Sequence, residues 1–173
     1  MIRNIFLDRD GIINEVIFRD NKVGSPRAFS EFKLRQEFVE FYNSIKKENY
    51  NLFVISNQPD IARKNMDIKE LEMMTDRISS AFTIKEITYC THDDLDNCDC
   101  RKPKPGMITY LLKKYNLKKE ESIIIGDSIK DAGAGRNAGV RTIILQTDYN
   151  RDSNIDSDYR VKSLLDILSL IKE

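Results

Sequence analysis

The sequence predicts an α/β protein built on a mostly parallel sheet. Short apolar runs of strand length recur along the chain, and segments of helical period separate them. Polar residues gather directly behind the runs, where a parallel sheet keeps its ligand crevice.

The first run, Asn4-Ile-Phe-Leu-Asp8, is apolar in its middle and closes on a carboxylate, as a buried strand would. Phe38, Phe41, Tyr42 and Ile45 then fall at i, i+3, i+4 and i+7, one apolar stripe on a helix. Asn51-Leu-Phe-Val-Ile-Ser56 is the second strand, and Ile68, Leu71, Met74 and Ile78 repeat the helical stripe. Glu86-Ile-Thr-Tyr-Cys90 is the third strand, followed by a helix marked by Met107, Tyr110 and Leu111. Ser122-Ile-Ile-Ile125 and Arg141-Thr-Ile-Ile-Leu145 complete the strands, with a helix start after Gly126-Asp127. Val161, Leu164, Leu165 and Leu168 place a last helix near the end. These stripes read as core faces rather than as ligand boxes. No repeat, low-complexity tract or linker divides the chain, so one domain over 1–173 is expected.

Composition excludes several partners. Lys plus Arg and Asp plus Glu are 28 each, so no basic excess argues for nucleic acid. The longest apolar runs are about four or five residues, far short of a membrane span. The opening MIRNIFLDRDG reads as a strand followed at once by charge, not as a signal peptide. Three cysteines are an odd count and sit too close together for a disulfide framework, so a cytoplasmic protein with reduced thiols is expected. A monomer is the expected state.

Four strand ends carry the chemistry. They are Asp8-Arg9-Asp10-Gly11, Ser56-Asn57-Gln58, the segment ending in Arg101-Lys102, and Gly126-Asp127-Ser128-Ile129-Lys130-Asp131. Each alone has an ordinary reading as a turn or a cap. Converging on one sheet edge, they suit phosphoryl transfer. Asp8 would attack phosphorus and form an aspartyl-phosphate, and Asp10 would move the proton. Two anions facing a phosphate need a divalent cation, and hard oxygen ligands point to catalytic Mg2+ on Asp8, Asp127 and the backbone carbonyl of Asp10. Lys102 would offset charge on the phosphoryl oxygens, Ser56 and Asn57 would donate to them, and Asp131 would orient Lys102 or shape the metal site.

Those strand ends, in that order, resemble the four motifs of the haloacid dehalogenase superfamily of phosphatases. FLDRDGIIN, VISNQ, CDCRKPKPGM and IIGDSIKDAGAGRNAGV are similar to the D-glycero-D-manno-heptose 1,7-bisphosphate phosphatases, and less specifically to the histidinol-phosphate phosphatases. The likeness covers about residues 2 to 146. It implies a Rossmann-like three-layer sandwich without a large cap domain. It implies Asp8 as nucleophile, Asp10 as acid and base, and Mg2+ at Asp8, Asp10 and Asp127. Ser56 and Lys102 would steady the phosphoryl group, with Arg101 recognising the sugar. The expected substrate is a small phosphorylated sugar, most specifically heptose 1,7-bisphosphate losing its 7-phosphate, with histidinol phosphate or another small phosphate ester as the alternative. Gly-Ser-Pro at 24 to 26 also resembles the segment before the first helix of heptose-type members.

Every soft metal ligand of the chain lies in Cys90-x-His92-x5-Cys98-x-Cys100. Three thiolates and one imidazole make a full tetrahedral set for Zn2+, and a closed set is structural. The loop DDLDN has only Leu95 to bury, so a metal clip would fold it and fix Arg101 and Lys102 beside it.

The sequence departs from the pattern at Ile12, at Pro59-Asp60, at Lys64 and in the long segment EVIFRDNKVGSPR. There Arg27 and Ser25 would contact sugar or a second phosphate. Two non-enzymatic readings compete: a phosphorylated receiver-type signalling domain and a binding module using the zinc loop. The first would place its acceptor Asp after a middle strand, where Ser56 and Cys90 stand; the second would not need Asp8, Asp10, Lys102 and Asp127 together.

Overall fold

The computed structural model describes residues 1–151 and 153–172. Along the chain come β1 (Asn4–Leu7), a hairpin of β2 (Ile17–Arg19) and β3 (Lys22–Gly24), α1 (Gln36–Ile45), β4 (Asn51–Asn57) and α2 (Ile68–Ala81). Then follow β5 (Glu86–Cys90), α3 (Gly106–Lys114), β6 (Ser122–Gly126), α4 (Ile129–Ala138), β7 (Arg141–Leu145), β8 (Tyr159–Val161) and α5 (Ile167–Ile171). Six strands form one sheet in the order β5-β4-β1-β6-β7-β8, every pair parallel. Ile5 registers with Leu52 on one side and Ile123 on the other.

Strand alternation explains why helices cover both faces. Ile5, Leu7, Val54, Ile123 and Ile143 join one buried cluster with Phe38, Phe41 and Ile45 of α1, Ile78 of α2 and Ile167 and Ile171 of α5. Phe6, Phe53, Ile55 and Ile124 point the other way, onto Met107, Ile108 and Leu111 of α3 and Ala134 and Ala138 of α4. Each fully buried side chain of this size contributes about 1.5–3 kcal/mol. α4 comes close to the sheet because its inner face is small: a Cβ on Gly135 would lie 2.5 Å from side-chain atoms of Ile124 and Thr142. The result is the doubly wound, three-layer arrangement that the alternation predicts.

Several expectations change. Val161 belongs to β8, pairing with Leu145, not to a helix; its helical spacing to Leu164 is overridden by the open sheet edge, and helical turns begin only at Leu164. Ile68, Tyr110 and Leu165 are exposed, so the stripes are narrower than their periodicity suggests. The segment after β1 contains the β2–β3 hairpin, turned by Asp20 and Asn21 at φ of 50° and 59°. Two successive positive φ values suit the right-handed twist of a tight hairpin, and Asp and Asn tolerate them better than most residues. Lys64 also lies in the left-handed region, at φ of 58°. Among the described residues nothing larger than the hairpin is inserted between β1 and α1, and no helix is long and apolar enough to cross a membrane.

Candidate active site

The carboxyl ends of β1, β4 and β6 open onto a cavity of about 650 Å3, lined among others by Asp8, Asp10, Ser56, Asn57, Arg101, Lys102 and Asp127. The segment after β5 brings Arg101 and Lys102 to the same place. The four strand ends therefore meet in three dimensions.

Lys102 is 3% exposed. Its Nζ lies 2.8 Å from Asp8 Oδ1 and 2.5 Å from Asp131 Oδ1, and donates to the Ile55 carbonyl at 3.2 Å. Burial alone would push this ammonium down; Asp131 and Asp8 outweigh it and hold it well above its ordinary value. Asp131, fully buried, also receives the Ser128 hydroxyl in the capping box of α4. Asn57 differs from its expected place. Its amide donates to the Lys102 carbonyl and its Oδ1 accepts from the Lys102 N–H, both at 3.0 Å, so it clasps the lysine's backbone.

Asp8, Asp127 and Asp131 present oxygens within 4.8 Å of one another. Burial raises the Asp8 carboxyl well above its ordinary value, with Asp131 adding repulsion. Burial, then Asp131, push Asp127 up to about 7. One ammonium thus serves three buried carboxylates, a shortage of positive charge that a divalent cation fits. Asp127 Oδ2 accepts the Tyr149 hydroxyl, and Asn150 donates to the Asp127 carbonyl at 2.6 Å.

Asp10 is surrounded differently. Arg9, with no exposed surface, approaches it at 2.9 Å, Asn14 donates at 2.9 Å, Gln58 at 2.8 Å and the Ser25 hydroxyl at 2.9 Å. Burial would raise this carboxyl, but Arg9 and the donors keep it below the usual range. Two carboxyl groups two residues apart thus have opposite environments. Gly11 lies between them and Asp127 at φ of 85°, and a Cβ there would come within 1.9 Å of Asp127 Oδ2. We expect Gly11→Ala to cost about 2–4 kcal/mol through backbone strain and this clash. It would also displace Asp127, and chemical denaturation with a paired activity assay checks both.

Ser56 is buried, and its hydroxyl oxygen accepts from Gln58 at 2.9 Å. Arg101 donates to Asp94 at 2.6 Å at the cavity edge. Arg27 also lines the cavity, held by Asp60 through bonds of 2.8 and 3.2 Å. The departures at Arg27 and at Asp60 are therefore one ion pair.

The cysteine cluster forms a second centre. Cys100 Sγ lies 2.9 Å from Cys90 and 3.5 Å from Cys98, with His92 Nδ1 at 3.3 Å from Cys100 and 3.6 Å from Cys90. A tetrahedral zinc at about 2.3 Å from each sulfur would space the sulfurs by about 3.7 Å, so the four donors fit it with small movements. Burial, then Cys100, push the Cys90 thiol up to about 12, a cost that a bound cation reverses. Leu95, the only residue of DDLDN that the loop could bury, is 95% exposed. The turn around it relies on Asp93 and Asp96 capping bonds instead.

Arg9, Asn14, Gln58, Tyr149 and Asn150 were not singled out by sequence reasoning. Arg9 sits visibly between the two aspartates, yet nothing local says its guanidinium is buried. Tyr149 carries no motif at all.

The family model for haloacid dehalogenase-like hydrolases matches residues 4–139. A Campylobacter jejuni protein named D-glycero-alpha-D-manno-heptose-1,7-bisphosphate 7-phosphatase is 33% identical, over 98% of this chain and 95% of its own. A Helicobacter pylori protein named for the beta anomer is also 33% identical, over 97% and 96%. Among solved structures, a D,D-heptose 1,7-bisphosphate phosphatase from B. bronchiseptica, complexed with magnesium and phosphate, superposes with a TM-score of 0.86 at 23% identity. It covers 99% of this chain and 98% of that one, a likeness of fold.

Proposed function

This chain belongs to the haloacid dehalogenase-like hydrolases, and from that premise we propose that it is a magnesium-dependent phosphatase removing the 7-phosphate of D-glycero-D-manno-heptose 1,7-bisphosphate. The observation that carries the reaction class is Lys102 Nζ held between Asp8 and Asp131 on the floor of the cavity, with the Asp127 carboxylate beside them. The relatives' names support the sugar.

Asp8 and Asp127, with the backbone carbonyl of Asp10, would hold Mg2+, which when bound neutralises the carboxylates facing the phosphate and polarises it. The Asp8 carboxylate attacks phosphorus, and the bond to the sugar oxygen breaks with its electron pair on that oxygen. Asp10 delivers a proton there. Arg9 keeps Asp10 anionic in the free enzyme; a phosphate dianion arriving nearby raises its proton affinity, so protonation accompanies substrate binding. Water then attacks the phosphorus of the aspartyl-phosphate and gives Asp10 its proton, and the bond to Asp8 breaks to release phosphate. Lys102 balances charge on the phosphoryl oxygens throughout, while Ser56 donates to one of them. Asn57 keeps Lys102 in place, and Arg101 and Arg27 face the rest of the substrate. Zn2+ on Cys90, His92, Cys98 and Cys100 would be structural.

The test is phosphate release in Mg2+ from a panel holding both anomers of the heptose bisphosphate, other sugar phosphates and histidinol phosphate. The expected result is the highest kcat/KM for a heptose bisphosphate. A clear preference for histidinol phosphate would replace the sugar while keeping the reaction. No Mg2+-dependent release from any ester would end the proposal.

A pH effect follows for metal-free protein. Folding raises the Asp127 carboxyl from its ordinary 3.8 to about 7, so the folded state favours the protonated form. Its ionisation therefore costs stability as pH rises from about 4 through about 7. Asp127→Asn should gain on wild type across that window, by an order of a few kcal/mol. Thermal denaturation at pH 5 and pH 8 in chelator measures it; equal differences at both would contradict it.

A further inference from the structure

We propose that Tyr149 positions the metal ligand Asp127, and that Phe18 of the hairpin holds Tyr149 in place. The inference rests on the reading above that Asp127 holds the divalent cation. Tyr149 follows β7, far in sequence from β6, and as a loop residue it could turn its hydroxyl to water. Instead the hydroxyl donates to Asp127 Oδ2, while the next residue, Asn150, donates both to the Asp127 carbonyl at 2.6 Å and to the Leu145 carbonyl at 2.8 Å. Consecutive residues thus hold one aspartate by its side chain and by its backbone.

The space for this arrangement comes from Gly11. A Cβ there would stand 1.9 Å from Asp127 Oδ2 and 2.7 Å from the Tyr149 oxygen, so the pair packs directly on the backbone of the first motif. The ring is held from outside. Phe18 meets it edge-on at a centroid distance of 6.1 Å, although Phe18 is otherwise largely exposed. A phenol donor to one carboxylate oxygen fixes the rotation of the group, and among the described residues no protein donor reaches the other oxygen, Oδ1. That is the division of labour seen where an outer hydrogen bond orients a metal-binding carboxylate. It also gives the exposed Phe18 a task and links the hairpin, which walls the cavity, to the metal site.

The experiment is calorimetric titration of Mg2+ into the zinc-containing protein freed of Mg2+, without substrate. Wild type, Tyr149→Phe, Phe18→Ala and Asp127→Asn are compared. Tyr149→Phe should raise the Mg2+ dissociation constant ten- to a hundred-fold, with most of kcat returning at saturating Mg2+. Phe18→Ala, which leaves the hydroxyl in place, should raise it about two- to five-fold by the same route. An unchanged Mg2+ affinity in Tyr149→Phe overturns the proposal, and a Tyr149→Phe protein that loses kcat even at saturating Mg2+ does so too. If Asp127→Asn binds Mg2+ like wild type, the cation assignment itself fails, an outcome separate from the first two.

Discussion

Asp8→Asn is expected to lower turnover by at least about 10,000-fold, or about 5.5 kcal/mol of barrier, while leaving the protein folded. The carboxamide keeps an oxygen for Lys102 and for the Arg9 N–H, which both meet Asp8 Oδ1, but it has no anionic pair to form the phosphoenzyme. Stability should not fall. Burial and the neighbouring Asp131 make the Asp8 carboxylate costly, and Lys102 retains Asp131 as its partner after the substitution. Metal-free Asp8→Asn should therefore melt at or above the wild-type temperature. Phosphate release and thermal denaturation on the same preparation test both halves. Turnover within tenfold of wild type would falsify the nucleophile assignment.

The second large effect is expected at the cysteine cluster. Cys98→Ala should abolish stoichiometric zinc, lower the melting temperature and reduce kcat/KM about ten- to a hundred-fold. The loop has no core of its own: Leu95 is exposed, and turn bonds from Asp93 and Asp96 with polar contacts from Arg63, Arg101 and Lys104 hold it. Without the clip, Arg101 loses its fixed approach to Asp94, and the Lys102 backbone depends on Asn57 alone. Asp8, Asp127 and Asp131 lie on other segments, so Mg2+ affinity should stay near wild type. Elemental analysis, calorimetry and kinetics separate these effects. Full activity in a zinc-free variant would remove the positioning role from the loop.

Much of this could be read locally. A strand of four to seven residues announces itself by an apolar run, and β1, β4, β5, β6 and β7 lie where such runs do. Metal-type ligands crowded into one loop need no fold to be noticed. Helix faces were less legible, because i, i+3, i+4 spacing says which residues share a side but not how wide the contact is. Ile68 and Tyr110 satisfy the spacing and remain in solvent. The hairpin was missed because its turn uses Asp20-Asn21 rather than a glycine pair. The pairing of Arg27 with Asp60 could not be inferred from two departures 33 residues apart.

What the order of residues settled was which polar groups stand at the ends of strands, since apolar runs and adjacent side chains are properties of short stretches. What the folded arrangement alone decided was which groups face which. The strand order puts β1 between β4 and β6, β5 beside β4 and β7 beside β6, and so brings Lys102 to Asp8, Tyr149 to Asp127 and Asn57 to the lysine's own backbone. Such partners are chosen by the packing of a whole sheet, and the energy of each contact exists only once the intervening chain has been buried.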